Sequence, residues 1–229
     1  MVQPNQPLQY FADGGRNMPI GYGSLLLADA NGAHLENPPP DPALAYVYVI
    51  YGDLMPEAPG GCRDARCPAI ARARYVDLLD AAVAEDAVAL ASVFHKYFAD
   101  TPDPWSEPGT SGAPDLSMPA GRYTPLWQPS SGDMAVLYDR AIDGYISVYQ
   151  YAKGFAVRWS RDLVHWSDPL ATYSEPGQYL YYPTLLGELA DPTVGGASPR
   201  LAFTSFVDGS FPNYAQSVLE IMSLTLGTP

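Results

Sequence analysis

Strand-forming segments recur along this chain in sets of three, and that recurrence limits what it can fold into more than any other feature. Tyr46-Val-Tyr-Val-Ile-Tyr51 is dense in β-branched and aromatic residues and closes at Gly52-Asp53, which is the composition and punctuation of a strand. Leu25-Leu26-Leu27 precedes it as a short buried strand after Gly23, and Pro68-Ala-Ile-Ala-Arg-Ala73 follows as a third. The set restarts at Asp133-Met-Ala-Val-Leu-Tyr138, Tyr145-Ile-Ser-Val-Tyr-Gln-Tyr151 and Phe155-Ala-Val-Arg-Trp159. A third round comprises Tyr181-Tyr-Pro-Thr-Leu-Leu186, Arg200-Leu-Ala-Phe-Thr-Ser-Phe206 and Val218-Leu-Glu-Ile-Met-Ser-Leu-Thr-Leu226.

The last two rounds are offset by about fifty residues, the size of a four-stranded propeller blade. Such an antiparallel sheet has two apolar faces and buries them against its neighbours, so the units stack radially. The expected fold is therefore an all-β propeller forming a single partial domain over residues 1–229, with blade-like repeats at 22–98, 133–173 and 180–227. One short helix is inserted: from Tyr75 to about Ala91, Leu78, Leu79, Ala82 and Val83 share one face at helical spacing. Residues 93–98 read as an outer strand, and 99–129, with seven prolines, as a loop. Propellers close with roughly four to eight blades. On that count either residues 1–21 belong to a further, cryptic blade or the chain lacks an N-terminal portion.

Composition removes several classes. Hydrophobic residues at 47% and charged residues at 16% exclude a disordered chain. No stretch approaches the roughly 20 apolar residues that span a bilayer, so no membrane partner is expected. Acidic residues outnumber basic ones by 25 to 12, and without a basic stripe a nucleic-acid partner is not expected either. The three histidines lie at no metal-like spacing, and no loop has the ligand spacing of a calcium site. No metal and no cofactor are expected. The separation of Cys62 and Cys67 does not fit a redox C-x-x-C; a local disulfide across a turn is the expectation, with two free thiols as the alternative. That bond would imply an oxidising compartment. The N-terminus has no charged segment followed by an apolar one. An extracellular or periplasmic location is accordingly assigned to the full-length protein, with the signal peptide absent from this chain.

Ser160-Arg-Asp-Leu-Val-His-Trp166, following the strand Phe155-Ala-Val-Arg-Trp159, resembles the blade signature of the five-bladed propeller superfamily of arabinanases, invertases and levansucrases. The chemistry of such a turn is plain: Ser and Asp bond backbone groups while Trp packs between blades. Cys67-Pro-Ala-Ile-Ala-Arg-Ala-Arg-Tyr-Val-Asp-Leu-Leu79, His95-Lys-Tyr-Phe98 with Trp105-Ser-Glu-Pro-Gly109, and Tyr181-Tyr-Pro-Thr-Leu-Leu186 resemble a poorly characterised secreted branch of it. The resemblance covers about residues 23–227 and implies a five-bladed ring of which about three to four blades are present here.

It also implies carbohydrate as the partner. Hydrolases of this superfamily cut glycosidic bonds with carboxylates at the starts of innermost strands, around a central funnel, and the spacing of acid and base sets the stereochemistry. The matching strand starts here supply Asp133 and no acid in the other two rounds, and Glu107 is a second candidate from its loop. Trp105, Trp127, Tyr181 and Tyr182 are the candidates for stacking on sugar rings. Two functions follow: a secreted glycoside hydrolase using Asp133 and Glu107, or a non-catalytic propeller that binds glycan or protein. An inactive fragment of a larger propeller is a third; its open ring would leave a blade face unburied and favour self-association.

Overall fold

The computed structural model describes residues 11–12, 16–17, 24–53, 67–109, 122–127, 134–188, 190–196, 199–207 and 213–224. A two-residue pairing of β1 (Phe11–Ala12) with β2 (Arg16–Asn17) comes first. Sheet 1 then runs in order through β3 (Ser24–Ala28), β4 (Tyr46–Asp53) and β5 (Cys67–Arg74). Helices α1 (Tyr75–Val83) and α2 (Ala87–Ser92) intervene before β6 (His95–Lys96) and β7 (Glu107–Pro108). Sheet 2 is β8 (Met134–Asp139), β9 (Gly144–Tyr151), β10 (Gly154–Ser160) and β11 (Ala171–Tyr173). Sheet 3 opens with β12 (Gln178–Leu186), whose outgoing connection contributes β13 (Val194–Gly195) to sheet 2 before β14 (Arg200–Val207) and β15 (Ser217–Ser223) complete it. Within the three sheets every pairing is antiparallel except that of β13 with β8. The fold is all-β, a partial propeller.

The sheets stack because their alternating side chains leave no other place for the apolar ones. In β9, every residue from Gly144 to Gln150 is buried. Tyr145 and Tyr149 point into a cluster with Leu26, Tyr48, Ile50 and Ile70 of sheet 1, and Ile146 and Val148 into one with Leu180, Leu185, Leu201 and Phe203 of sheet 3. Sheet 2 is thus the middle layer. Phe155 of β10 meets Phe203 edge-on at 5.3 Å between centroids. On its far side, sheet 3 carries Leu219 and Ile221, which are 71% and 57% exposed.

The outer face of sheet 1 is covered differently from the expectation that each sheet buries its faces only against another sheet. In β5, Cys67, Ala69, Ala71 and Ala73 alternate on that face beneath Phe94 and Tyr123, with Leu78 of α1 and Val93 packed against them. Three alanines make a shallow surface on which a helix rests closely. The helical stretch itself is two helices rather than one. Glu85 takes a left-handed conformation at φ 54°, which ends α1, and the Asp86 carboxylate accepts the Ala89 amide at 3.0 Å as an N-cap for α2. The expected outer strand 93–98 shrinks to β6, and β7 appears inside the segment expected to be loop.

The Ser160–Trp166 turn does what its residue types imply. Ser160 Oγ accepts the amides of Asp162 and Leu163 at 3.2 and 3.0 Å, and Asp162 Oδ1 accepts those of Val164 and His165 at 3.0 and 2.7 Å. Leu163, held at φ 68°, buries its side chain, and its carbonyl receives the Trp166 indole N–H at 2.9 Å. Trp166 then lies edge-on to Trp127 at 5.1 Å in the interface of sheets 1 and 2. From sheet 1, Gly32 at φ +82° presses its Cα against the Asp162 backbone, where any Cβ would collide with the carbonyl. Burial would raise the Asp162 carboxyl, but the His165 and Val164 amides and the His165 ring outweigh it and hold it below its ordinary 3.8.

Two outcomes are expected. Phe203→Ala, which empties the middle of the interface between sheets 2 and 3, costs about 3–5 kcal/mol in denaturant unfolding. Asp162→Ala costs about 1–2 kcal/mol at neutral pH. A carboxyl with a lowered folded-state pKa contributes stability that is present above its unfolded value and lost as pH falls through the folded one. The gap between wild type and Asp162→Ala therefore narrows below pH 3.8, as paired urea titrations across acid pH will read.

Candidate functional site

The first strands of the three sheets gather together, with β8 touching both β3 and β12. Ser24 Oγ accepts the Val136 amide at 2.8 Å, which stitches β3 to β8. These strands begin at Ser24, Met134 and Gln178, none of them acidic. Asp133 immediately precedes β8 and lies outside the described residues, as does Cys62. Cys67 is disulfide-bonded, and Cys62 is the only other cysteine of the chain.

Glu107 does not belong to that gathering. It sits on β7, at the opposite edge of sheet 1 from β3. Its Oε1 accepts Arg122 Nη2 at 2.7 Å and Nε at 3.2 Å, and its Oε2 accepts the Arg122 amide at 3.0 Å. Both carboxylate oxygens are engaged by Arg122, which ties that residue to the sheet edge. The reading of Glu107 as a funnel carboxylate is corrected accordingly.

Trp127 is corrected as well. It is 6% exposed and enclosed by Tyr149 at 5.4 Å, Trp166 at 5.1 Å and the Arg158 guanidinium at 5.8 Å. Its ring is part of the interface between sheets 1 and 2, with no face left for a sugar. Tyr181 and Tyr182 lie in the middle of β12 rather than at its start. Tyr182 adopts φ 55°, and the pairing with β14 shifts register between Tyr181 and Thr184. The bulge swings the two rings into edge contact at 4.4 Å, with Tyr179 5.8 Å from Tyr181. They form a half-buried tyrosine cluster on sheet 3, apart from Trp105.

Trp105 opens onto a cavity of about 420 Å³ at the end of sheet 1 where β3 finishes, the opposite end from Ser24. Strand register builds this cleft. Tyr46 pairs with Arg74, Tyr48 with Arg72, and Arg72 in turn with His95, so these side chains share one face of the sheet. The Arg72 guanidinium carbon lies 4.2 Å from the Trp105 ring centroid and 4.5 Å from that of Tyr46. Tyr48 meets Trp105 edge-on at 5.6 Å, and its hydroxyl donates to the Asp29 carbonyl at 2.8 Å. Burial, first, pushes the Tyr48 hydroxyl above its ordinary pKa, with Arg72 acting against it. Asp103 fixes the loop that presents Trp105: its Oδ1 accepts the Trp105 amide at 3.1 Å, and its carbonyl receives the Thr101 and Ser106 hydroxyls. Asp77, Ser92 and Val93 of the helical segment complete the wall. Among the described residues no group of His, Cys, Asp and Glu is disposed to hold a metal ion.

The cleft residues Tyr46, Arg72, Arg74 and His95 are not among the site candidates that the sequence offers. A signal existed: two of the ten arginines stand two apart in a strand whose alternate positions are alanine. That pattern places both on the face opposite the helices.

No family model matches the chain, and no curated protein matches it in sequence. Among solved structures it is similar to fructofuranosidase from Schwanniomyces occidentalis complexed with fructose, at 15% identity over 90% of this chain and 32% of that one, with a TM-score of 0.48. It is also similar to fructan 1-exohydrolase IIa from Cichorium intybus, at 15% identity over 98% of this chain and 45% of that one, with a TM-score of 0.29. The chain thus spans about a third of the length of the first and under half of the second.

Glu107→Gln is expected to leave any sugar binding at the cleft unchanged and to alter stability by about 1 kcal/mol, since Arg122 is more than half exposed. Calorimetric titration beside thermal melts checks both halves.

Proposed function

We propose that this chain is a carbohydrate-binding propeller whose sugar site is the cleft beside Trp105. The observation that carries the reading is the cleft itself, in which the Trp105 and Tyr46 rings stand next to hydrogen-bonding groups from Arg72, Arg74, His95 and Asp77. A sugar offers both partners at once: C–H groups polarised toward an aromatic ring and a rim of hydroxyls for charged donors and acceptors. Its volume lies within the range of small-ligand pockets, roughly 300–1,000 Å³.

Binding without hydrolysis is the reading that the carboxylates favour. Glycosidic cleavage calls for a pair of carboxyls about 5–9.5 Å apart on either side of the bond. Among the described residues Glu107 is bonded to Arg122 and Asp103 anchors its own loop, which leaves Asp77 as a single cleft carboxylate rather than a pair; Asp133 lies outside the described residues. An extracellular or periplasmic setting goes with this function and is supported by the disulfide at Cys67.

Isothermal titration against plant and bacterial oligosaccharides, with reducing ends measured in parallel, tests the proposal. The expected result is saturable binding with no rise in reducing ends, weakened at least tenfold (about 1.4 kcal/mol) by Trp105→Ala and restored in large part by Trp105→Phe. Release of reducing ends, or binding indifferent to Trp105, overturns it.

A further inference from the structure

The guanidinium at the centre of the cleft is held in place yet has no anion. Arg72 Nη1 donates to the Ala30 carbonyl at 2.7 Å and to the Tyr48 hydroxyl at 3.2 Å. The flat group is stacked by Trp105 and Tyr46. Two hydrogen bonds and two rings thus fix its position before any ligand arrives. Among the described residues no carboxylate pairs with Arg72, and its Nε and Nη2 donate to nothing. That free edge is the side-on fork that grips a carboxylate through two parallel bonds.

The surroundings reinforce the point. Arg74, two residues along on the same face, lines the same cleft, is exposed and has no ion-pair partner among the described residues. His95 stands across from Arg72 on β6. Of the two acids in the wall, Asp103 has turned to the Trp105 amide, and Asp77 occupies the first turn of α1. In a chain of net charge −13, two neighbouring arginines share one cavity with Asp77 and Asp103 and are ion-paired to neither, which leaves both available to an external acid. Their partners were plentiful within the protein and were not used.

Building on the carbohydrate reading, we infer that the cleft is selective for acidic sugars, with the uronate carboxylate on the Nε–Nη2 edge of Arg72, Arg74 adding charge, and the pyranose ring beside Trp105. Because the guanidinium is pre-positioned, little ordering cost falls on binding. Selectivity follows from the same arrangement, since a neutral sugar leaves the charged fork without its ionic partner.

The test uses the full chain and matched ligands: tetrasaccharides of galacturonic, mannuronic and glucuronic acid, each beside its carboxyl-reduced, uncharged counterpart. At least one acidic tetrasaccharide is expected to bind tenfold or more tightly than its reduced form, with affinity falling as salt is raised. Arg74→Gln, an exposed change that keeps a hydrogen-bonding side chain in the cleft, is expected to weaken the acidic ligand several-fold more than its reduced counterpart. Arg72→Lys, confirmed folded by its melting curve, is expected to remove most of the preference. Equal or tighter binding of the reduced forms overturns this inference and leaves carbohydrate binding standing. Binding of neither form overturns both.

Discussion

The structure depends on the double burial of one antiparallel sheet. Sheet 2 sends alternate side chains of β8, β9 and β10 into two separate apolar clusters, so neither sheet 1 nor sheet 3 can leave without exposing half of its core. At about 25 cal/mol for each Å² of apolar surface withheld from water, rings as large as Tyr145, Tyr149, Phe155 and Phe203 dominate that contact. The polar turns follow from it. Gly32 can press against Asp162 because stacking has already brought the end of one sheet over the end of the next.

Much of this arrangement is legible in the amino-acid order. Near-continuous apolar and aromatic runs such as Tyr145–Tyr151 announce strands buried on both sides, and Ser160 with Asp162 announces a turn that satisfies its own amides. Other features are set by tertiary contact and leave weaker traces. Glu85 breaks the helical run through a single backbone angle, although the local spacing would carry one helix onward. β7 exists because Glu107 and Arg122 tie a proline-rich segment to the sheet edge, and nothing in the proline pattern foretells that pair.

The candidate site shows the same division. Trp105, Tyr181 and Tyr182 are recognisable as rings worth watching, yet aromatic character alone does not separate a wall residue from a core one; Trp127 has the same chemistry and is spent on packing. Register does separate them. Once β4, β5 and β6 are aligned, Tyr46, Arg72, Arg74 and His95 fall on one face around Trp105. The cleft is made of cross-strand neighbours distant in sequence, at the opposite end of sheet 1 from the strand start at Ser24, which is why inspection of strand starts does not lead to it.

The short strand β13 ties the second and third sheets together. It arises between β12 and β14 but lies alongside β8, with the Tyr138 amide donating to the Thr193 carbonyl at 2.9 Å and that of Arg140 to Gly195 at 3.4 Å. Arg140 adds ion pairs to Glu188 of that same connection and to Glu36 of the β3–β4 connection. The hub-side margin of the middle petal is therefore hemmed by a borrowed thread, and part of the raw margin that invites stray strands is closed off. Peeling away the last petal would pull that thread as well, so fraying at one end of the wheel cannot stay a local event.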